Sequence, residues 1–291
     1  MNLLPYTFLS CGAPLATATL SALIAHAALP ARVLVASAPP PPPAAQTLPV
    51  ATSDDIASIA AAHNLPLAYT GADTDAAIRA ALGQCGTLVL IVCLGTILSP
   101  MTLALASEGC LNVHPSCLPS YRGPAPMFWQ LRDGLTTGTV SVHRVNARID
   151  AGSILLQSSF ALPHGVNEIA AETLAGAAVG PTLAELLRNW PQRRHEVLEP
   201  TAPDSYQGHP DEAAFAIDAG EWSLERATHF IRATQWRGQP YLIHSKHWRA
   251  IVTSIFETRA ATTAVSSTGS TVCLPFREAT LVARGALLAS N

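Results

Sequence analysis

Asn112 and His114 close the apolar stretch Gly109-Cys-Leu-Asn-Val-His114 and stand two apart, so on an extended backbone their side chains leave the strand on one face. An amide and an imidazole can each donate to a developing oxyanion, and an imidazole can also carry a proton. Pro115, Pro119 and Pro124, with Gly123, brace the following loop at low conformational entropy, as a preorganised site requires. Taken alone, so short a pattern also reads as a turn-capping Asn beside a buried, satisfied His.

The longer string narrows the reading. Asn112-Val-His114-Pro-Ser116-Cys117-Leu118-Pro119-Ser-Tyr-Arg122-Gly123 is followed further on by Ile149-Asp150-Ala-Gly152. It resembles the folate-dependent formyltransferase family, and within it the methionyl-tRNA formyltransferase-like branch. That family's signature is Asn-x-His-x-Ser-Leu-Leu-Pro-x-x-Arg-Gly and then Asp-x-Gly; Cys117 for the usual Leu is an apolar-for-apolar departure. The resemblance implies transfer of a formyl group from 10-formyltetrahydrofolate to an amine. Such a reaction needs a neutral amine, an oxyanion stabiliser and a route for one proton. On that reading Asn112 and His114 donate to the oxyanion, while Asp150 holds His114 protonated and accepts a proton through water. From its spacing alone Asp150 is as readily a turn-former ahead of Gly152. Ser116, Pro119, Arg122, Gly123 and Gly152 are assigned to loop shape, because no Gly-x-Ser-x-Gly elbow surrounds Ser116 to make it a nucleophile.

The elements that must position these groups alternate strand and helix. Residues 6–10 read as a strand, 11–14 as its turn and 16–28 as a helix, with a second strand at 32–36. The opening Gly12-Ala13-Pro14 is similar to that of the tRNA enzymes and lacks a Gly-x-Gly phosphate loop. Five prolines at 39–43 predict an extended surface loop. Helices are expected at 54–63 and 73–82, with a strand at 65–68. Residues 87–93 form a continuous apolar run of the kind that makes a buried parallel strand, and ligands of such sheets bind beyond the strands' carboxyl ends. The loop after it, Leu94-Gly95-Thr96-Ile97-Leu98-Ser99-Pro100, resembles the family's Gly-x-Ile-Leu-Pro element. By that resemblance Leu94, Thr96, Ile97 and Leu98, together with Arg148 and Asp150, hold the folate; read bare, Ile97 and Leu98 are core caps. A helix is expected at 125–133, placing Phe128 and Trp129 in the core, and strict alternation in Thr139-Val-Ser-Val-His-Arg-Val145 supports a strand at 138–144. A strand at 153–158 and an Ala-rich helix at 167–187 follow. The Arg, Glu and Pro content of 189–203 reads as a linker. Beyond it, 211–232 contains a helix, and short strands at 241–243, 248–256, 262–266, 271–274 and 279–282 suggest a small barrel. That arrangement is similar to the oligonucleotide-binding (OB) C-terminal domain of the tRNA formyltransferases.

Composition bounds the rest. A chain of 291 residues holds one large or two modest domains. Its mean hydropathy of +0.27 comes largely from Ala, and no uninterrupted apolar run of about 18 residues occurs, so no membrane partner is expected. With no Lys or Arg before Arg32, the first thirty residues lack the positive leading region of a signal peptide, and a cytoplasmic location is expected. Six cysteines without a Cys-x-x-Cys pair predict buried thiols, and the ten histidines form no His-Glu-x-x-His, so no metal is expected. Net charge is −3, and Arg32 and Arg79 are the basic residues ahead of Asn112, which disfavours a nucleic-acid face there.

These readings predict an α/β fold: a doubly wound, mostly parallel, Rossmann-like formyltransferase domain at 1–200 and a small β-rich, OB-like domain at 204–291. The expected activity is N-formyl transfer from 10-formyltetrahydrofolate to a small-molecule amine, such as an amino sugar or amino acid derivative. Methionyl-tRNA is the alternative acceptor. Hydrolysis of the formylfolate and non-catalytic folate or RNA binding are the further alternatives.

Overall fold

Alternating apolar strands and helices build a parallel sheet in the computed structural model, which describes residues 3–37, 55–83 and 88–288. The order is β1 (Tyr6–Ser10), α1 (Pro14–Ala25), β2 (Arg32–Val35), α2 (Ile56–Ala62), β3 (Leu67–Tyr69), α3 (Asp75–Leu82), β4 (Leu88–Val92), α4 (Pro100–Leu103) and β5 (Cys110–His114). α5 (Pro126–Arg132), β6 (Thr137–Arg144), β7 (Ile154–Ala161), α6 (Glu168–Arg188) and α7 (Trp190–Arg193) follow. The seven strands lie in the order β3-β2-β1-β4-β5-β6-β7. The first five are parallel; β6 and β7 add on antiparallel. Every residue of β1 and β4 is buried, as strands covered on both faces must be. The strand order reverses between β1 and β4, which opens a crevice at their carboxyl ends.

Helix starts are chemically marked. Asp55, Thr74 and Ser99 each accept a backbone N–H of the first turn of α2, α3 and α4, and such caps contribute about 1 kcal/mol apiece. α6 lies close on α1 because Gly180 has no side chain: a Cβ there would come 2.2 Å from that of Ala22.

Contacts divide the described residues into two compact units, one drawn from Met1–Pro126, Thr137–Ala161 and Ile169–Gln207, the other from Met127–Thr136, Leu162–Glu168 and Gly208–Asn291. The second unit contains β8 (Ala216–Asp218), α8 (Leu224–Thr234), β9 (Tyr241–His244), β10 (Arg249–Ala260), β11 (Ser266–Thr268), β12 (Thr271–Pro275) and β13 (Ala279–Leu288). These strands form a six-stranded sheet, β11-β12-β13-β10-β9-β8. Its core is aromatic: Phe128 meets Phe215 and Phe230 at ring distances of 5.2 and 5.5 Å, and Tyr241 and Trp222 close on Phe230 at 5.7 Å each. Phe128 is fully buried and Trp129 partly so, with its indole N–H on the Gly208 carbonyl.

Several local expectations change. The stretch read as a linker contains α7, because Trp190 buries its ring and donates to Glu108 at 3.0 Å. The strand expected at 262–266 lies at Ser266–Thr268, and β8 is too short to show a period. Of the described cysteines Cys110 alone is buried; Cys11 is exposed and Cys93 partly so, since both fall just past the ends of β1 and β4. The proline run at 39–43, Cys85 and Thr87 lie outside the described residues. Among the described residues no helix is long and apolar enough to cross a membrane.

Leu90 is wholly buried in β4, at the middle of this sheet. Leu90→Ala is expected to destabilise the protein by about 2–5 kcal/mol, read as a shifted midpoint in urea melts.

Candidate active site

β5 leaves the sheet centre carrying Asn112 and His114, and its antiparallel pairing with β6 sets Asn112 opposite His143 and His114 opposite Ser141. The chain then turns through Pro115–Gly123, where Ser116 donates its hydroxyl to the Ser120 carbonyl at 2.7 Å and Ser141 donates to Ser116 O at 2.6 Å. Within this loop Tyr121 and Gly123 take φ angles of 57° and 116°. Gly123 is required twice over, by that φ and because a Cβ would stand 2.1 Å from the Gln207 carbonyl. Asp150 arrives from the β6–β7 connection, itself at φ 49°. Gly152 lets this connection close, since a Cβ there would sit 1.7 Å from the Arg144 carbonyl.

The three chemistry-bearing residues converge. Asp150 Oδ1 lies 3.4 Å from Asn112 Nδ2, 3.7 Å from His114 Nδ1 and 3.5 Å from His143 Nε2, and its Oδ2 accepts the Gly123 N–H at 2.9 Å. His114 Nε2 lies 2.9 Å from the Tyr121 carbonyl. A carbonyl only accepts, so Nε2 carries the proton and the Nδ1 side is turned to Asp150. By the same logic His143 Nδ1, 2.8 Å from the Arg144 carbonyl, carries a proton, and its Nε2 lies 3.1 Å from the Asn112 amide and 3.5 Å from Asp150 Oδ1.

Burial holds His114 below the usual histidine range, against the pull of Asp150 and the Tyr121 carbonyl. Burial alone would raise Asp150. The hydrogen bond to His143, the His114 imidazole and the Gly123 N–H outweigh it and bring the carboxyl down to about 2. The cluster therefore sets an ionised Asp150 carboxylate beside the neutral His114 imidazole, a pair with room for one more proton. The Asn112 amide lies closer to His143 Nε2, at 3.1 Å, than to Asp150 Oδ1, at 3.4 Å.

His143 and the Tyr121 carbonyl are the members that sequence reasoning missed. Alternation in β6 put His143 on a definite face, but no local spacing told which residue lies across from it.

The loop at 94–99 divides. Leu98 is buried in the core cluster with Leu9, Leu34 and Ile91, and Leu94 packs against that cluster, whereas Ile97 is 72% exposed. Thr96 donates to the Asp73 carbonyl at 2.7 Å, and Asp75 accepts from Ser99 N–H at 2.9 Å and from the Thr102 hydroxyl at 2.6 Å. Those hydrogen bonds, Thr102 foremost, hold the Asp75 carboxyl below its ordinary range. Arg148 lies exposed in the turn ahead of Asp150, its N–H on the Asn146 side chain at 2.9 Å. Arg122 pairs with Asp204 at 2.8 Å, and Pro119 follows Leu118 in the same loop.

A mostly parallel α/β sheet with an amide, imidazoles and a carboxylate gathered beyond a central strand defines a Rossmann-like protein with a polar site at the strands' carboxyl ends. The chain belongs to the formyl transferase family, whose sequence model matches residues 8–172. A methionyl-tRNA formyltransferase of Anaplasma marginale is 30% identical over 162 residues, 55% of this chain and 54% of that protein. Another, of a Cyanothece species, is 40% identical over 104 residues, 35% of this chain and 31% of its own length. The matched stretch thus spans about a third to a half of these relatives. The fold is similar to that of an N-formyltransferase from Helicobacter canadensis solved with folinic acid and dTDP-3-aminofucose, with a TM-score of 0.65, 10% identity, and coverage of 98% of this chain and 100% of that one. A methionyl-tRNA formyltransferase from Clostridium thermocellum aligns with a TM-score of 0.53 at 12% identity, covering 99% of this chain and 100% of its own.

The depressed Asp150 carboxyl makes stability acid-sensitive. Its folded pKa of about 2 lies below the unfolded value of about 3.9, so its contribution is complete above that value and is lost as pH falls toward 2. Urea melts from pH 5 to 2 are expected to show a loss of about 2 kcal/mol assignable to this group, absent in Asp150→Asn.

Proposed function

We propose that this chain is a cytoplasmic N-formyltransferase that moves the formyl group of 10-formyltetrahydrofolate to a small-molecule amine such as an amino sugar or an amino acid derivative. The observation that carries the reading is the convergence of Asn112, His114 and Asp150 at the end of β5. In this reading Asn112 Nδ2 donates to the oxyanion that develops on the formyl oxygen as the amine attacks the formyl carbon, and His114 joins it as a donor once it has taken up the amine's proton. The proton lost by the attacking amine enters the cluster through water, on the His114–Asp150 pair, whose neutral imidazole and ionised carboxylate together take up one, and it is returned to N10 of the departing tetrahydrofolate as the N10–formyl bond breaks. Ser116, Pro119, Arg122, Gly123 and Gly152 hold the two loops in place.

The formyl donor supplies an activated one-carbon group. Leu94, Thr96, Ile97, Leu98, Arg148 and Asp150 hold it. The strapped loop fits a flat ring system: exposed Ile97 offers apolar surface, Thr96 and Ser99 fix the backbone, and Leu98 anchors the loop from below. The catalytic domain takes up 1–200, and an OB-like domain takes up 204–291.

Charge supports the small acceptor. A tRNA must be gripped through its phosphates, and this chain is net −3 with Arg32 and Arg79 as its basic residues ahead of Asn112. Methionyl-tRNA is the second reading, favoured by the names of the curated relatives and by Arg226, Arg232, Arg237, Lys246, Arg249, Arg259, Arg277 and Arg284 in the C-terminal part. The deciding assay offers purified protein 10-formyltetrahydrofolate with methionyl-tRNA and with a panel of amino sugars and amino acids, at two salt concentrations. Salt-insensitive formylation of a small amine is expected. Methionyl-tRNA formylation that falls steeply with salt would overturn the small-acceptor reading. Asn112→Ala, His114→Ala and Asp150→Ala are each expected to lower transfer by about 100-fold or more while leaving the circular dichroism spectrum unchanged.

A further inference from the structure

Residues 203–207 run along the site loop, joined to it by an isolated parallel bridge between Arg122 and Tyr206. Ser205 N–H donates to Pro119 O at 3.1 Å, Arg122 N–H to Ser205 O at 3.0 Å, and Gln207 N–H to Arg122 O at 2.9 Å. Side chains reinforce the pairing: Ser120 Oγ donates to Pro203 O at 2.6 Å, Tyr121 N–H donates to Ser205 Oγ at 2.9 Å, and Asp204 pairs with Arg122 Nε at 2.8 Å. A mere connector makes no such set of contacts.

Ser205 brackets one residue, Tyr121, by holding the peptides on both sides of it. Its hydroxyl oxygen takes the Tyr121 N–H and its carbonyl takes the next N–H along, that of Arg122. Tyr121 is a bulky residue at φ 57°, a conformation that persists only where its surroundings impose it. The Tyr121 carbonyl in turn receives His114 Nε2, and Gly123, two residues on, gives its N–H to Asp150.

We infer that Ser205 is a positioning residue for formyl transfer: by holding Tyr121 left-handed it aims the carbonyl that keeps the His114 proton on Nε2 and leaves Nδ1 facing Asp150. The inference rests on the proposed function for its kinetic consequence, but its structural content does not depend on any substrate. A carbonyl swung away from Nε2 removes the preference between the two ring nitrogens, so the imidazole would divide between tautomers and only part of the protein would be competent.

Ser205→Ala keeps the backbone pairing and removes the hydroxyl oxygen; Ser205→Thr restores an oxygen at the same place. In ¹⁵N-labelled protein without substrate, His114 is expected to be Nε2-protonated in the wild type, mixed in Ser205→Ala, and Nε2-protonated again in Ser205→Thr. With formyl donor and acceptor, kcat is expected to fall about 10- to 100-fold in Ser205→Ala, with KM for the donor within about twofold, and to recover in Ser205→Thr. A wild-type tautomer in Ser205→Ala overturns the inference, whatever happens to kcat, because any loss of rate would then come from another cause. Should Ser205→Ala fail to fold, Asp204→Asn, which loosens the strap through Arg122, takes its place under the same criteria. If the wild type formylates no acceptor, the proposed function fails, while the tautomer measurement still decides the role of Ser205.

Discussion

Keeping the Asp150 carboxylate ionised while most of it is out of water is the constraint around which this site is arranged. A buried charge costs several kcal/mol unless donors and counter-charges surround it. The four groups around Asp150 come from separate places: Asn112 and His114 from β5, His143 from β6, and the Gly123 N–H from the loop after β5. None of them is a neighbour of Asp150 in the chain, so the carboxylate is stable only when both strands and both loops are in place together. The glycines follow from the same demand. Without Gly123 and Gly152 the two loops would be forced apart by backbone clashes, and Asp150 would lose its N–H donor.

The sheet supplies the rigidity. β4 and β5 are parallel and buried, while β6 reverses direction beside β5 and so brings a second row of side chains to the same end. An antiparallel partner is what puts an imidazole across from Asn112. On the other side of β5, the loop leaving β4 is tied to the start of α3 by Asp75 and to Asp73 by Thr96. Two hydrogen-bonded loops at the carboxyl ends of adjacent strands are therefore available to a ligand without a large ordering cost.

The family match covers residues 8–172 and leaves the 208–291 part of the second compact unit outside it. The matched model ends at residue 172, after the last of the Asn112, His114 and Asp150 set. The second compact unit is organised by other forces: stacked aromatic rings around Phe230, and the buried Glu168 carboxylate forked by Arg237 at 2.6 and 2.8 Å.

Much of this was legible in the amino acids. The buried parallel strands showed as continuous apolar runs, as in 87–93, because a strand covered on both faces has no polar side to alternate. Asn112 and His114 shared a face because the side-chain period of a strand is two. The braced loop was visible in Pro115, Pro119, Gly123 and Pro124 because those residues restrict or release φ wherever they occur. Short elements failed for the converse reason: β8 has three residues, too few for a period, and α7 is held by the burial of Trp190, not by its own propensity. What only the tertiary structure decided is which partners meet. His143 reaches Asn112 across 31 positions and Ser205 reaches Tyr121 across 84, contacts set by strand register and by the return path of the chain, and no local spacing in a sequence encodes either.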